Sequence, residues 1–175
     1  MEQSAVHRRL ERVLTRLYER DGELLELNAH EISISHKLAE HLQPEFPDHH
    51  VDCEYNRKGD TDETKVLRGL TACENIDSNE EERWIRPDVL VHERKIDCRN
   101  LLALEVKLTS GGDRACDLAK LEELKRETHD FRYDHALFVE LPVGERYRDE
   151  QIEVKAFDDE TWTDYSEAFA EVSEQ

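Results

Sequence analysis

The amino-acid sequence predicts a mixed α/β domain ordered as helix, strand, strand, strand, helix, strand, with further elements at both ends. Three observations lead there. Some segments repeat apolar residues with a helical period, and others carry the short apolar or alternating runs of strands. Three strand-like runs, 51–56, 85–93 and 100–108, follow one another before the next helical segment. That segment, 114–128, separates the apolar runs 100–108 and 135–142, as a helical crossover between strands would. A length of 175 residues suits one domain, with its core at about 28–141.

Each element has a local reason. Over 3–20, Val6, Leu10, Val13, Leu14 and Leu17 share one helical face, and Asp21-Gly22 is expected to end the helix. A second helix is expected over 28–42, capped by Asn28 and closed by Pro44 and Pro47. "VDCEYN", 51–56, alternates as a strand does. The acidic stretch 57–83 is long for a connection, and "VLRGLTAC" within it suggests a short helix or a mobile flap. "IRPDVLVHE", 85–93, is a strand that begins through Pro87. "NLLALEVKL", 100–108, is the next strand, and the turn "SGGD" leads to a helix with Asp113 as its cap. Leu118, Leu121 and Leu124 form that helix's apolar side, and Pro142 stops the strand "HALFVELP". The tail reads as a strand, 152–157, and a terminal helix holding Trp162, Tyr165, Phe169 and Val172.

Composition narrows the function. Forty-three acidic against 24 basic residues give a net charge of -19, which repels nucleic acid at long range. This argues against a protein that coats DNA with its whole surface, but not against one that gathers a few cations around a cleft. No apolar run approaches a membrane span, and the charged N-terminus lacks a secretory pattern, so a soluble cytoplasmic protein is expected. Cys53, Cys73, Cys98 and Cys116 contain no Cys-x-x-Cys pair, which disfavours a zinc ribbon. Free, mostly buried thiols are expected.

Several charged residues do not suit their elements. Strand alternation puts Leu102, Leu104, Val106 and Leu108 on one side, and Leu101, Ala103, Glu105 and Lys107 on the other. Glu105 and Lys107 are thus neighbours, about 7 Å apart, on a face that begins apolar. A solvated strand end would explain this pair by itself. Asp88, however, places a second acid where a buried strand begins. Glu31 shares a helical face with Ile34, Ser35, Leu38 and Leu42, so it points inward. Converging carboxylates suit Mg²⁺, a hard cation that lowers the pKa of bound water and stabilises charge developing on phosphate.

"RPDVLVHE" followed by "LLALEVKL" resembles the PD-(D/E)XK nuclease superfamily, the restriction-endonuclease-like fold. Its motif corresponds here to Pro87, Asp88, Glu105 and Lys107. The resemblance implies an αβββαβ core with a mixed central sheet flanked by helices, matching the order above. It implies Asp88 and Glu105 as metal ligands, Glu31 as an additional acid on a second metal or its water, and Lys107 orienting the nucleophilic water. It also implies hydrolysis of DNA phosphodiesters with Mg²⁺, or Mn²⁺ in its place, in defence or DNA processing.

Further candidates are less central. Lys120, on the following helix, and Arg86, Arg57 and His92 are candidate phosphate contacts or supports of the site. Arg86, Arg94, Lys95, Arg99 and Arg114 could supply a local basic rim. The acidity suggests a partner protein or a homodimer to bring DNA to the site. Two other readings stay open: a non-catalytic interaction or assembly module, and a hydrolase of a small phosphorylated substrate.

Overall fold

A computed structural model describes residues 1–58, 60–68, 73, 82–126, 131–158 and 160–173. In chain order its helices and strands are α1 (Gln3–Glu26), α2 (Glu31–Leu42), β1 (His50–Cys53), β2 (Val66–Arg68), β3 (Glu82–Trp84), β4 (Val89–His92) and β5 (Asn100–Leu108). Then come α3 (Ala115–Lys125), β6 (His135–Leu141), β7 (Glu153–Asp158), β8 (Thr161–Asp164) and α4 (Ala170–Ser173).

The main sheet runs β1-β4-β5-β6-β7-β8. Its neighbours are antiparallel except β5 and β6, which α3 joins as a parallel pair. β5 and β6 lie inside the sheet and are buried on both faces along almost their whole length. One face carries Val89, Val91, Leu102, Leu104 and Val106 and packs against apolar residues of α1 and α2, including Leu10, Leu14, Ile34 and Leu38. Leu90, Ala103 and Phe138 form a second cluster with Leu121 and Leu124 of α3. The expected mixed α/β architecture is therefore present, and β5 has the bounds read from its sequence. No helix among the described residues is long and apolar enough to cross a membrane.

Four local expectations need correction, and a fifth, over 57–83, lies largely outside the described residues. Helix α1 does not stop at Asp21-Gly22; it kinks there, with Asp21 at φ -125° and ψ 15°, and continues. Burial of Leu25 anchors the second segment, and Gly22 passes so close to Tyr147 that a Cβ would lie 2.1 Å from its hydroxyl. Asn28 does not cap α2. It sits at φ 50°, closing α1, while its amide bonds Leu25 O and the Ala29 amide bonds Leu24 O. That paired hydrogen bonding is the Schellman ending, for which asparagine tolerates the left-handed backbone.

Within 57–83, the described residues form no helix; β2 and β3 pair as a separate antiparallel ribbon, and the rest of "VLRGLTAC" lies outside the described residues. Trp162 belongs to β8 rather than a terminal helix, paired with Phe157 across an antiparallel turn. Alternation in "TWTD" was concealed by the helical spacing of the aromatic residues around it. Finally, Cys73 and Cys116 form a disulfide, with Cα atoms 4.5 Å apart, while Cys53 is half-buried and Cys98 is exposed. Sequence spacing could not reveal that residue 73 comes to lie over the first turn of α3. The expectation of free, mostly buried thiols therefore fails: two of the four cysteines are bonded to each other, and neither free one is buried.

Candidate active site

The register of β4 and β5 brings the first two acids together. Their ladder ends at Val89 opposite Leu104, so Asp88 and Glu105 are the next pair outward. Asp88 precedes β4, and its carboxylate Oδ2 accepts the Val106 amide of β5 at 2.8 Å. The side chain thus extends the backbone ladder and is fixed by it. Pro87, which has no amide to offer, stands where β4 has not yet begun.

Glu105 is almost fully buried, at 1% exposure, and neither of its oxygens has a hydrogen bond of normal geometry. Lys120 reaches it from α3 as an ion pair, with Nζ 2.9 Å from Oε1. Burial pushes the Glu105 carboxyl well above its ordinary range; Lys120 opposes this, and Asp88 and Asp117 add to it. Burial also raises Asp88, against the Val106 amide, the Glu105 side chain and Lys120, with Asp117 raising it further. The Lys120 ammonium is held above its usual value: burial acts against it, but Glu105 and Asp117 outweigh burial. The two partners of this ion pair pull in opposite senses. For Glu105, burial, reinforced by Asp88 and Asp117, outweighs the opposing pull of Lys120.

Lys107 projects two residues beyond Glu105 and is half-buried. Its Nζ lies 3.1 Å from Asp117 Oδ2 and 3.7 Å from Glu31 Oε1. Burial would lower this ammonium, but Asp117, Glu31 and Asp88 hold it above its ordinary value. Burial raises the Glu31 carboxyl, with Lys107 and the Leu108 amide opposing and Asp88 and Asp117 assisting. The turn after β5 closes tightly on Lys107. The Gly111 amide bonds Leu108 O at 2.7 Å, and a Cβ at Gly111 would lie 2.9 Å from that oxygen and 3.3 Å from Lys107 Cε. Beside it opens a cleft of about 370 Å³, lined by residues including Asn28, Glu31, Lys107, Ser110 and Gly111.

Asp88, Glu105, Lys107, Lys120 and Glu31 therefore meet, through α2, β4, β5 and α3. Asp117 joins them as a bridge between Lys107 and Lys120, the latter 2.8 Å from its Oδ1. Its spacing three residues before Lys120 on one helix was the available signal. Glu140 was also missed: it lies beside Lys107 in the β5–β6 register and is clasped by Arg114. As with Glu105, the signal was a single acid in an apolar strand.

Other candidates lie elsewhere. His92 is buried at the other end of the β4–β5 ladder, opposite Asn100, and its Nε2 is 2.9 Å from Asp52 Oδ2. It is a structural partner of Asp52, not a support of Glu105. Arg57 is exposed and donates to the Asp62 carbonyl. Arg86 is exposed two residues before Asp88. The expected basic rim is largely neutralised: Arg94 pairs with Asp52, Lys95 with Asp60, Arg99 with Glu93 and Arg114 with Glu140.

The donor set suits a hard divalent cation at Asp88 and Glu105: two adjacent carboxylates, one of them buried without a hydrogen bond. Among the described residues, no three His, Cys, Asp or Glu side chains are grouped to hold a metal ion, so Glu31 does not complete a three-acid set. Mg²⁺ requires only one or two protein carboxylates, because water and substrate phosphate fill the rest of its shell. Comparison with protein-family models, curated proteins and solved structures finds no match to this chain.

Proposed function

We propose that this protein is a metal-dependent nuclease of the PD-(D/E)XK, restriction-endonuclease-like type, hydrolysing DNA phosphodiesters. The observation that carries the reading is Glu105: a buried carboxylate lacking a hydrogen bond, beside Asp88 and two residues before Lys107. Such a group is costly unless a cation compensates it. The strand order and the parallel crossover through α3 support the same reading.

In this reading Asp88 and Glu105 hold Mg²⁺, or Mn²⁺ in its place. When bound, the ion neutralises phosphate charge and makes water a better nucleophile. Lys107, kept protonated by Asp117 and Glu31, orients the attacking water and offsets charge developing on the phosphate. Asp88 is immobilised by the Val106 amide, so its position costs little ordering when substrate arrives. With most rim cations already paired and a net charge of -19, DNA affinity must come from a partner protein or a second copy of the chain.

The test is cleavage of plasmid and single-stranded DNA with Mg²⁺ or Mn²⁺, by wild-type protein and by Glu105→Ala and Lys107→Ala. Metal-dependent cleavage lost in both variants is the expected result. A second reading, hydrolysis of a small phosphorylated substrate, is favoured by the small cleft at Lys107 and the acidic surface. Hydrolysis of small phosphodiesters to a phosphomonoester and an alcohol, without cleavage of DNA, would select it.

A further inference from the structure

Lys120 is placed unlike a surface lysine. Its side chain is 17% exposed, and Nζ lies 2.9 Å from Glu105 Oε1 and 2.8 Å from Asp117 Oδ1. Asp117 is itself divided between two lysines, with Oδ2 3.1 Å from Lys107. An ammonium beside a buried carboxylate supplies the opposite charge that burial demands. It leaves Glu105 incompletely satisfied, since neither oxygen has a hydrogen bond of normal geometry. The surrounding cluster sets Glu31, Asp88, Glu105 and Asp117 against Lys107 and Lys120. Fully ionised, it keeps two uncompensated negative charges, the charge of one divalent cation.

We propose that Lys120 is the resident counter-ion of Glu105 and sets the affinity of the Asp88–Glu105 pair for divalent cations. The proposal rests on the metal-dependent reading above. Lys120 and a divalent cation compete for one carboxylate, because two positive charges at the same oxygen repel strongly where little water screens them. Lys120 has a second anchor in Asp117, three residues earlier on α3. It can therefore leave Glu105 without leaving the site. Released, its ammonium remains beside the bound cation and faces an anionic substrate. Lys120 thus balances part of the cluster's negative charge from within, at the expense of weaker metal binding.

The full-length chain is titrated with Mn²⁺, reading the free ion by electron paramagnetic resonance, together with Lys120→Met, Lys120→Gln and Glu105→Gln. Both Lys120 variants are expected to bind Mn²⁺ at least about tenfold more tightly than wild type, and Glu105→Gln at least about tenfold more weakly. A second readout uses the wild-type chain alone: reductive methylation followed by peptide mass mapping. Mn²⁺ should increase labelling of Lys120 and leave labelling of buried Lys65 unchanged. If wild type binds Mn²⁺ through Glu105 but the Lys120 variants bind no more tightly, this inference is overturned while the metal-dependent reading stands. If none of the proteins, Lys120 variants included, binds Mn²⁺ through Glu105, both are overturned. Should the variants fail to fold, the wild-type labelling decides: unchanged Lys120 reactivity at saturating Mn²⁺ overturns the inference.

Discussion

Asp88 and Glu105 are neighbours across β4 and β5, yet they are held differently. Asp88 accepts a backbone amide at 2.8 Å, whereas Glu105, deeper in the protein, has an ion pair and no hydrogen bond. A carboxylate in that position is stable in its charged form only with nearby positive charge. The asymmetry makes Asp88 the positioned group and Glu105 the group most dependent on a cation.

Substitutions that keep shape and remove charge address the chemistry. Glu105→Gln and Lys107→Met are each expected to reduce Mg²⁺-dependent cleavage at least about a hundredfold, while circular dichroism stays unchanged. Wild-type cleavage rates in either variant would refute the roles assigned to these residues.

The raised Glu105 carboxyl makes stability depend on pH. The folded state holds this proton more tightly than the unfolded chain does. Between the ordinary carboxylate range and the raised value, the folded state therefore binds more protons, and stability falls as pH rises. Mg²⁺ binds the ionised form, so it is expected to raise Tm more at about pH 8 than at about pH 5. Glu105→Gln should lose most of that cation-dependent increase. Thermal melts with and without Mg²⁺ at the two pH values provide the measurement.

Lys65 presents the opposite sign. It is 1% exposed, donates to the Tyr133 hydroxyl at 2.9 Å, and lies 5.2 and 5.3 Å from the Tyr55 and Tyr133 rings. Burial lowers its ammonium from 10.5 to about 8, although Asp97 and Asp52 pull upward. The unfolded chain therefore binds more protons between those values, and stability rises with pH there. Lys65→Met is expected to stabilise the protein at about pH 7, by at most about 3 kcal/mol. The gain should shrink as pH rises from about 8 and be lost by the unfolded lysine's value of 10.5. Urea denaturation across this range would reveal a pH-independent effect if the account is wrong.

The Cys73–Cys116 bond closes a long loop, with 43 residues of sequence separation. On chain entropy alone, reduction or Cys116→Ser is expected to cost about 4 kcal/mol of stability. Denaturant midpoints with and without reductant measure this. An unchanged midpoint, with thiol counting to verify reduction, would contradict the expectation.

Local periodicity made much of this protein legible. The bounds of β5, the crossover helix α3 and the inward face of α2 follow from patterns spanning a few residues. The common side of Glu105 and Lys107 follows from strand alternation, and Asp88 could be picked out because it precedes a buried strand. Periodicity does not say which distant side chains meet. The sharing of Asp117 by two lysines, the pairing of His92 with Asp52, the neutralised arginines and the Cys73–Cys116 bond all join separate segments. Asn28 and Trp162 were misplaced because each fits two local patterns, and only the neighbouring packing selects one. Residue order alone sets which positions are apolar, which are charged and how often they recur. Tertiary structure alone decided their partners, because burial and ion pairing act between segments that chain order does not bring together.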